Sequence, residues 1–142
     1  SGKNGWYPQI ALKRRFNLDG QTEDQIIELT RAFCRTQKPF VIAIGQETKT
    51  EKMPVNVLEV EPTEELMQFH KDFIAALGSD LESRFPERDD GYYPHITSEY
   101  NGKQVVNVDL YSDRTFTLNE VWLIRDQENE NSVALAKFPL SA

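Results

Sequence analysis

The sequence has a single cysteine and only two histidines among its 142 residues. With one thiol, Cys34, no disulfide can form within the chain, which is typical of a protein kept in a reducing, intracellular compartment. Cys34 falls inside a helical pattern, where packing is its expected role. The histidines and the cysteine lie far apart and no carboxylate cluster joins them, so we expect no metal site and no cofactor.

Long apolar stretches and an excess of basic residues are also missing. No segment approaches the ~18 apolar residues that a membrane-spanning helix needs, and no basic-then-apolar leader begins the chain. The formal net charge of -7 disfavours tight binding to a long polyanion, because phosphate contacts need clustered Lys and Arg. These absences predict a soluble, cytoplasmic protein that binds neither a membrane nor a long nucleic acid, whereas a small phosphorylated ligand remains open.

The remaining composition is that of an ordinary globular protein. Aliphatic and aromatic residues make up 39% of the chain and charged residues 27%, which argues against disorder. A chain of this length can bury one respectable core and is short for two. We therefore expect residues 1–142 to form a single domain, and the protein to be a monomer.

Apolar periodicity and turn residues predict a mixture of helices and strands. Thr22 stands three residues before Gln25, a capping-box spacing, and opens a predicted helix that ends near Thr36. A second helix follows Pro62-Thr63 and ends at Gly78, a natural C-terminal cap. The predicted strands are 7–16, 40–44, 55–60, 93–100, 106–110, 116–124 and 133–138, the last two forming a hairpin around an acidic loop at 126–131. The charged residues 79–91 are predicted to be a surface loop.

One hexapeptide pattern occurs twice, as Tyr7-Pro8-Gln9-Ile10-Ala11-Leu12 and as Tyr93-Pro94-His95-Ile96-Thr97-Ser98. A residue before proline is restricted to extended backbone, and the alternation that follows predicts a strand opening in each copy. Side chains two apart on a strand share a face, so His95 and Thr97 project together. An imidazole beside a hydroxyl suits holding a phosphoryl oxygen while moving a proton.

These two segments carry a resemblance to a known family. Pro8-Gln9-Ile10-Ala11-Leu12-Lys13 resembles the first motif, Pro-His-x-Thr-Leu-Lys, of the 2H phosphoesterase superfamily, which includes bacterial 2′-5′ RNA ligase-like proteins and cyclic nucleotide phosphodiesterases. Pro94-His95-Ile96-Thr97 resembles the second motif, and the resemblance covers nearly the whole chain. It implies a bilobal, pseudo-two-fold α+β fold, in which antiparallel sheets with flanking helices place the two motifs face to face across a central cleft.

The resemblance also implies a reaction. In that superfamily two histidines act as acid and base on a phosphodiester, commonly a 2′,3′-cyclic end or a 2′-5′ link, and the motif Ser or Thr residues bind phosphate oxygens without a metal. His95 and Thr97 are thereby implied to be catalytic. The first motif is degenerate, because Gln9 stands in the position of one histidine and Ala11 in that of its threonine. Losing one acid/base partner typically removes ~10²–10⁴ in rate, so weak hydrolysis is expected.

Other polar side chains near the two motifs are candidates for ligand contact. Lys13 and Arg15 share the parity of Gln9 on the first predicted strand, so either a phosphate contact or a solvated strand end is compatible with them. Tyr93 can pack or can stack a base. The second histidine, His70, lies on the edge of an apolar helical face, where a half-buried, hydrogen-bonded side chain is the better interpretation than a catalytic one.

Three functions are therefore open. The first is an enzyme with weak or altered phosphodiesterase activity on a small phosphorylated nucleotide or a short RNA end. The second is a non-catalytic module that retains the cleft and binds a nucleotide. The third is a structural or protein-interaction module whose groove no longer binds anything phosphorylated. Retention of His95 and Thr97 argues mildly against the third, and the loss of both side chains at Gln9 and Ala11 argues against ordinary turnover.

Overall fold

The computed structural model describes residues 9–13, 20–50, 55–84, 91–126 and 132–142. Within these ranges the helices are α1 (Gly20–Arg35), α2 (Glu64–Leu77), α3 (Ser79–Arg84) and a 3-10 helix at Val108–Leu110. The strands are β1 (Phe40–Lys49), β2 (Val55–Val60), β3 (His95–Tyr100), β4 (Lys103–Gln104), β5 (Thr115–Leu118), β6 (Glu120–Asp126) and β7 (Ser132–Pro139).

Among the described residues, five strands form one sheet in the order β4-β3-β2-β1-β5, and β6 pairs with β7 in a second sheet. All of these pairings are antiparallel. Asn101 and Gly102, both with positive φ, turn the chain from β3 into β4, as the Asn-Gly pair predicts. Helices alongside antiparallel sheets confirm the predicted α+β class. In the described part of the chain no helix has the length and apolarity to cross a membrane.

The core lies between the two long helices and one face of the five-stranded sheet. Phe69 of α2 stacks at tilted angles on Phe33 of α1, at 5.3 Å between centroids, and on Phe40 of β1, at 5.1 Å. Alternation along β1 turns Phe40 and Ile42 into this core and leaves Val41 on the opposite face, where 55% of its surface is exposed. The buried side chains of β1, β2 and β3 in this core lie on one face of the sheet, and the polar side chains of Glu59, His95 and Thr97 lie on the other.

Helix α2 begins and ends where the sequence predicts. The Thr63 hydroxyl accepts a hydrogen bond from the Leu66 backbone N–H at 3.2 Å, which satisfies a donor that has no partner within the helix. Gly78 follows the last turn with φ of 92°, a conformation that costs glycine little. These caps define the position of the helix that carries Phe69 and His70.

Replacing Thr63 by Ala should lower the free energy of unfolding by ~1 kcal/mol, because the Leu66 N–H loses its acceptor. Thr63→Ser keeps a hydroxyl in the capping position and should lose clearly less. Urea unfolding of the three proteins measures both differences. An Ala variant as stable as the wild type would show that the cap contributes nothing to stability.

Three predicted elements differ from the structure between residues 20 and 84. Helix α1 begins at Gly20, so Thr22 lies inside it and is not the cap; its hydroxyl instead accepts from the Arg84 guanidinium at 3.3 Å. Residues 79–84, predicted to be loop, form α3 with Leu81 fully buried, since a single apolar residue gives no periodicity to detect. Strand β1 continues past Gly45 through an irregularity in its pairing with β2.

The predicted first strand, 7–16, is wrong where the structure describes it. Residues 9–13 lie in irregular conformation, and Ile10 and Leu12 pack against the core. The rest of that range lies outside the described residues.

Two predicted strands beyond residue 100 also differ from the structure. The predicted strand at 106–110 is replaced by the 3-10 helix, because the Asn107 side chain accepts from the Asp109 N–H at 3.1 Å and caps a turn instead. The predicted single strand at 116–124 is divided at Asn119: β5 pairs with β1, whereas β6 pairs with β7. The predicted hairpin of β6 and β7 is confirmed, and its loop lies outside the described residues.

Candidate functional site

The strand β3 places His95 and Thr97 on the face of the sheet opposite the core. Ile96 and Ser98 are buried on the core side of the strand, and the alternation puts His95 and Thr97 on the other. The buried Ser98 hydroxyl donates to the Glu47 carboxylate of β1 at 2.7 Å, which holds the strand in this orientation. The predicted pairing of imidazole and hydroxyl on one face is therefore present.

One hydrogen bond indicates the tautomer of the His95 ring. Its Nδ1 lies 2.8 Å from the backbone carbonyl oxygen of Tyr93. A carbonyl oxygen can only accept, so Nδ1 carries a proton and donates. In the neutral ring the lone pair then belongs to Nε2, the nitrogen that would accept or return a proton in acid/base chemistry.

The Tyr93 side chain connects His95 to the neighbouring strand. The tyrosine ring stacks on the imidazole with 5.0 Å between centroids and 25° between planes, and its hydroxyl donates to Glu59 Oε1 at 2.8 Å. Strand register sets Glu59 directly opposite His95. Partial burial, the hydrogen bond to Glu59 and the charge of that carboxylate raise the pKa of Tyr93 to about 12, so the phenol stays protonated at neutral pH and keeps donating.

The degenerate first motif is joined to the second through the preceding tyrosine. The Tyr92 hydroxyl donates to the backbone carbonyl of Ala11 at 2.8 Å. Gln9 is exposed, whereas Ala11 is half-buried. The two motif segments therefore meet through Tyr92, and the direct opposition of the Gln9 and His95 side chains stays a prediction.

The second histidine supports this junction. The His70 ring stacks on the Tyr92 ring with 3.8 Å between centroids and 3° between planes. His70 is half-buried on α2, as its place on the edge of the apolar helical face predicts. Helix α2, Tyr92 and Ala11 thus form one continuous contact, which we call the Tyr92 junction.

Lys13, one of the two basic residues predicted near the ligand, takes part in an ion pair. The Lys13 ammonium lies 3.5 Å from Glu82 Oε2 of α3, and only 2% of the Lys13 side chain is exposed. This ion pair holds Lys13 against α3. Arg15 lies outside the described residues. Phosphate contacts by Lys13 and Arg15 stay predictions.

Metal-ligating groups do not collect within the described ranges. Across residues 9–13, 20–50, 55–84, 91–126 and 132–142 no three His, Cys, Asp or Glu side chains lie close enough to hold an ion. Cys34 is buried, and burial raises the pKa of its thiol to about 11, so it remains a protonated packing residue.

An open pocket lies beside Glu59 on the same face of the sheet. Ala43 and Gly45, both small, leave room there. The pocket is lined by residues in the middle of β1, at the end of β2 and just after it: Ala43, Ile44, Gly45, Glu59, Val60, Glu61 and Pro62. Its outer residues on β1 and β2 alternate with the core-facing pair Ile44 and Val60. The pocket and His95 therefore share the face of the sheet opposite the core, with Glu59 between them.

Sequence reasoning missed Glu59 and the Tyr92 junction. Glu59 interrupts an otherwise apolar stretch of β2, and a polar residue at that position is the available signal. The hydrogen bond between Glu59 and Tyr93 depends on how β2 and β3 pair, so it could not be predicted from one sequence. Tyr92 lies next to the second motif, but its hydroxyl bond to Ala11 joins positions 81 apart, a contact that no local spacing indicates.

Comparison with known proteins gives both a family and a fold. The sequence profile of the 2′-5′ RNA ligase superfamily matches residues 4–130. The crystal structure of TT0787 of Thermus thermophilus is similar, with a TM-score of 0.69 at 18% identity over 98% of this chain and 84% of that one. Escherichia coli LigT in complex with 3′-AMP is similar with a TM-score of 0.69, at 14% identity over 98% and 83% of the two chains. LigT in complex with NADP+ gives a TM-score of 0.68, at 14% identity over 99% and 83%. No relative was found among curated proteins.

Proposed function

The chain belongs to the 2′-5′ RNA ligase superfamily, and on that premise we propose that it binds a small phosphorylated nucleotide at His95 and Thr97. The ligand is a 2′,3′-cyclic nucleotide or a 2′-5′-linked RNA end, and hydrolysis is weak and independent of metal. The observation that carries this proposal is the hydrogen bond from His95 Nδ1 to the Tyr93 carbonyl, which puts the lone pair of the neutral ring on Nε2, the nitrogen suited to proton transfer.

The chemistry explains why hydrolysis would be weak. In-line attack of water on a cyclic phosphodiester requires one group to take a proton from water and another, opposite, to give one to the leaving ribose oxygen. The His95 imidazole can perform one of these transfers. The amide of Gln9 can hydrogen-bond a phosphate oxygen but cannot titrate, and the methyl group of Ala11 cannot bond at all.

The nature of the ligand is supported by the similar structures. LigT was crystallised with 3′-AMP and with NADP+, both of which are phosphorylated adenine nucleotides. A compact ligand also agrees with a net charge of -7, because one or two phosphates need only a few donors. The same substitutions at Gln9 and Ala11 favour a second candidate function, a binding module of this fold that does not turn its ligand over.

Titration with 2′,3′-cyclic AMP, following binding by calorimetry and hydrolysis by ³¹P NMR, tests the proposal. Thr97→Ala and His95→Ala should each weaken binding about tenfold or more, since a hydrogen bond to a charged group contributes ~1.5–3 kcal/mol. Added salt should weaken binding further.

Thr117→Ala is the matched control, because Thr117 is an exposed threonine on β5 of the same sheet and pairs with Val41. It should bind as the wild type does. If the wild type shows no binding at millimolar ligand, or if Thr97→Ala and Thr117→Ala behave alike, the proposed site is wrong. Binding without hydrolysis would select the second candidate function.

A further inference from the structure

Two contacts from Tyr93 act on the His95 ring at once. The backbone carbonyl of Tyr93 accepts from Nδ1 at 2.8 Å, and the aromatic ring stacks on the imidazole at 5.0 Å. The first contact selects the tautomer and the second limits rotation of the ring plane. An imidazole held in both respects presents Nε2 in one direction, which is what a proton-transfer group requires.

Tyr93 itself is poorly held by packing, because 49% of its surface is exposed. It precedes β3 in a stretch without regular structure. The bond of its hydroxyl to Glu59 at 2.8 Å restricts its rotamer. Because Glu59 sits opposite His95 in the β2–β3 pairing, the sheet register determines where the tyrosine hydroxyl is anchored.

We propose that Glu59 and Tyr93 are positioning residues for His95, with the Glu59 carboxylate holding the tyrosine ring that in turn holds the imidazole. Neither residue belongs to the His-x-Thr pattern, and Glu59 lies on a different strand. The significance of this arrangement for chemistry rests on the proposed function of His95. The arrangement itself is measurable without any substrate.

An ordinary surface hydrogen bond is the alternative explanation. A bond between two exposed side chains contributes little to stability, so removing it should leave the unfolding midpoint unchanged in either case. The two explanations differ at the imidazole. A positioning bond changes the tautomer and order of the His95 ring when it is removed, whereas a surface bond does not.

Long-range ¹H–¹⁵N spectra of the imidazoles provide the test, recorded well above the ordinary histidine pKa of ~6.5 so that the rings are neutral. The chain has two histidines, and His95→Ala assigns the signals. We expect wild-type His95 to show one tautomer with the proton on Nδ1. Glu59→Ala and Tyr93→Ala leave the Tyr93 carbonyl in place but free the imidazole to rotate away from it. The Nδ1–H bond is then made only part of the time, so the shifts should be averaged between the two tautomers. Glu59→Gln keeps an acceptor for the tyrosine hydroxyl and should restore most of the wild-type pattern.

Glu120→Ala is the matched control. The Glu120 carboxylate accepts from the Trp122 indole at 2.8 Å, which is also an exposed bond between a carboxylate and an aromatic donor, but it lies on β6 in the other sheet. This variant should leave the His95 signals unchanged. If Glu59→Ala, folded with an unchanged unfolding midpoint, gives the same His95 tautomer as Glu120→Ala, the proposal is overturned.

Kinetics in a protein carrying Gln9→His and Ala11→Thr supply a second measurement. Glu59→Ala in that background should lower kcat by about tenfold or more and change KM little, because Glu59 would act on the orientation of His95 and not on the ligand. An equal kcat, or a loss confined to KM, would contradict a positioning role. If no variant shows any turnover, the proposed function fails, while the tautomer measurement still decides the role of Glu59.

Discussion

Replacing Gln9 by His together with Ala11 by Thr should raise the rate of 2′,3′-cyclic nucleotide hydrolysis by ~10²-fold or more. In the proposed site the wild type offers one imidazole, that of His95, and a single imidazole cannot be base and acid in the same step. The double variant supplies the second proton carrier and a second hydroxyl for the phosphate oxygens. The rate is measured as kcat under saturating 2′,3′-cyclic AMP, with product resolved by chromatography.

The structure gives a reason to expect a gain from only two substitutions. Effective acid/base catalysis needs the new imidazole within hydrogen-bond reach of the substrate, which depends on where the backbone lies. The Tyr92 junction anchors the Ala11 carbonyl to the segment that leads into β3. The new side chains would therefore extend from a backbone already connected to the second motif.

His95→Ala in the double variant should remove the gain, and Ala11→Thr alone should give little of it. A wild-type protein that already turns over at about 1 s⁻¹ or faster would be within the usual range for enzymes. In that case another group carries the second proton, and Gln9 is not the disabling change. Lys13, although paired with Glu82, would be the first residue to substitute.

The second large effect concerns stability. Phe69→Ala should lower the free energy of unfolding by ~3–5 kcal/mol, because the removed ring leaves a cavity between both long helices and β1. At ~2–4 °C per kcal/mol for a domain of this size, the unfolding midpoint should fall by about 10 °C. Calorimetry or thermal circular dichroism measures the shift.

Gln68→Ala is the matched control for this prediction. Gln68 is the preceding residue of α2 and its exposed amide donates to Asp72 at 2.8 Å. Its loss should change stability by no more than ~0.5 kcal/mol. If the two variants unfold at similar temperatures, Phe69 does not occupy the centre of the core.

Local patterns predicted the elements whose signals are contained in neighbouring residues. The caps at Thr63 and Gly78, the Asn101-Gly102 turn, and the shared face of His95 and Thr97 all depend on spacings of a few residues. Alternation in the first hexapeptide predicted a strand, whereas the structure shows only that Ile10 and Leu12 pack against the core. The alternation did not show that residues 9–13 form no strand. An alternating pattern indicates which side chains are buried, and it does not indicate whether the backbone pairs with another strand.

The contacts around His95 and Ala11 could not be predicted from a single sequence, because they join residues that lie far apart in the chain. The Tyr92 bond to Ala11 spans 81 positions and the Tyr93 bond to Glu59 spans 34. The second depends on a β2–β3 register that contains an irregularity between Asn56 and Val57. Nothing local distinguishes Tyr92 from Tyr93, yet one joins the two motifs and the other contacts the imidazole.

The Tyr92 bond to Ala11 has an evolutionary consequence, because it ends on a backbone carbonyl. Every amino acid carries that carbonyl, so mutation at position 11 can change the side chain without removing the acceptor. The exposed Gln9 is equally unconstrained by packing. A lineage can therefore lose the first-motif side chains with little selective penalty on folding, and can regain them by a few codon changes. On the proposed function, changes at these two positions would therefore switch hydrolysis on or off without a change of fold.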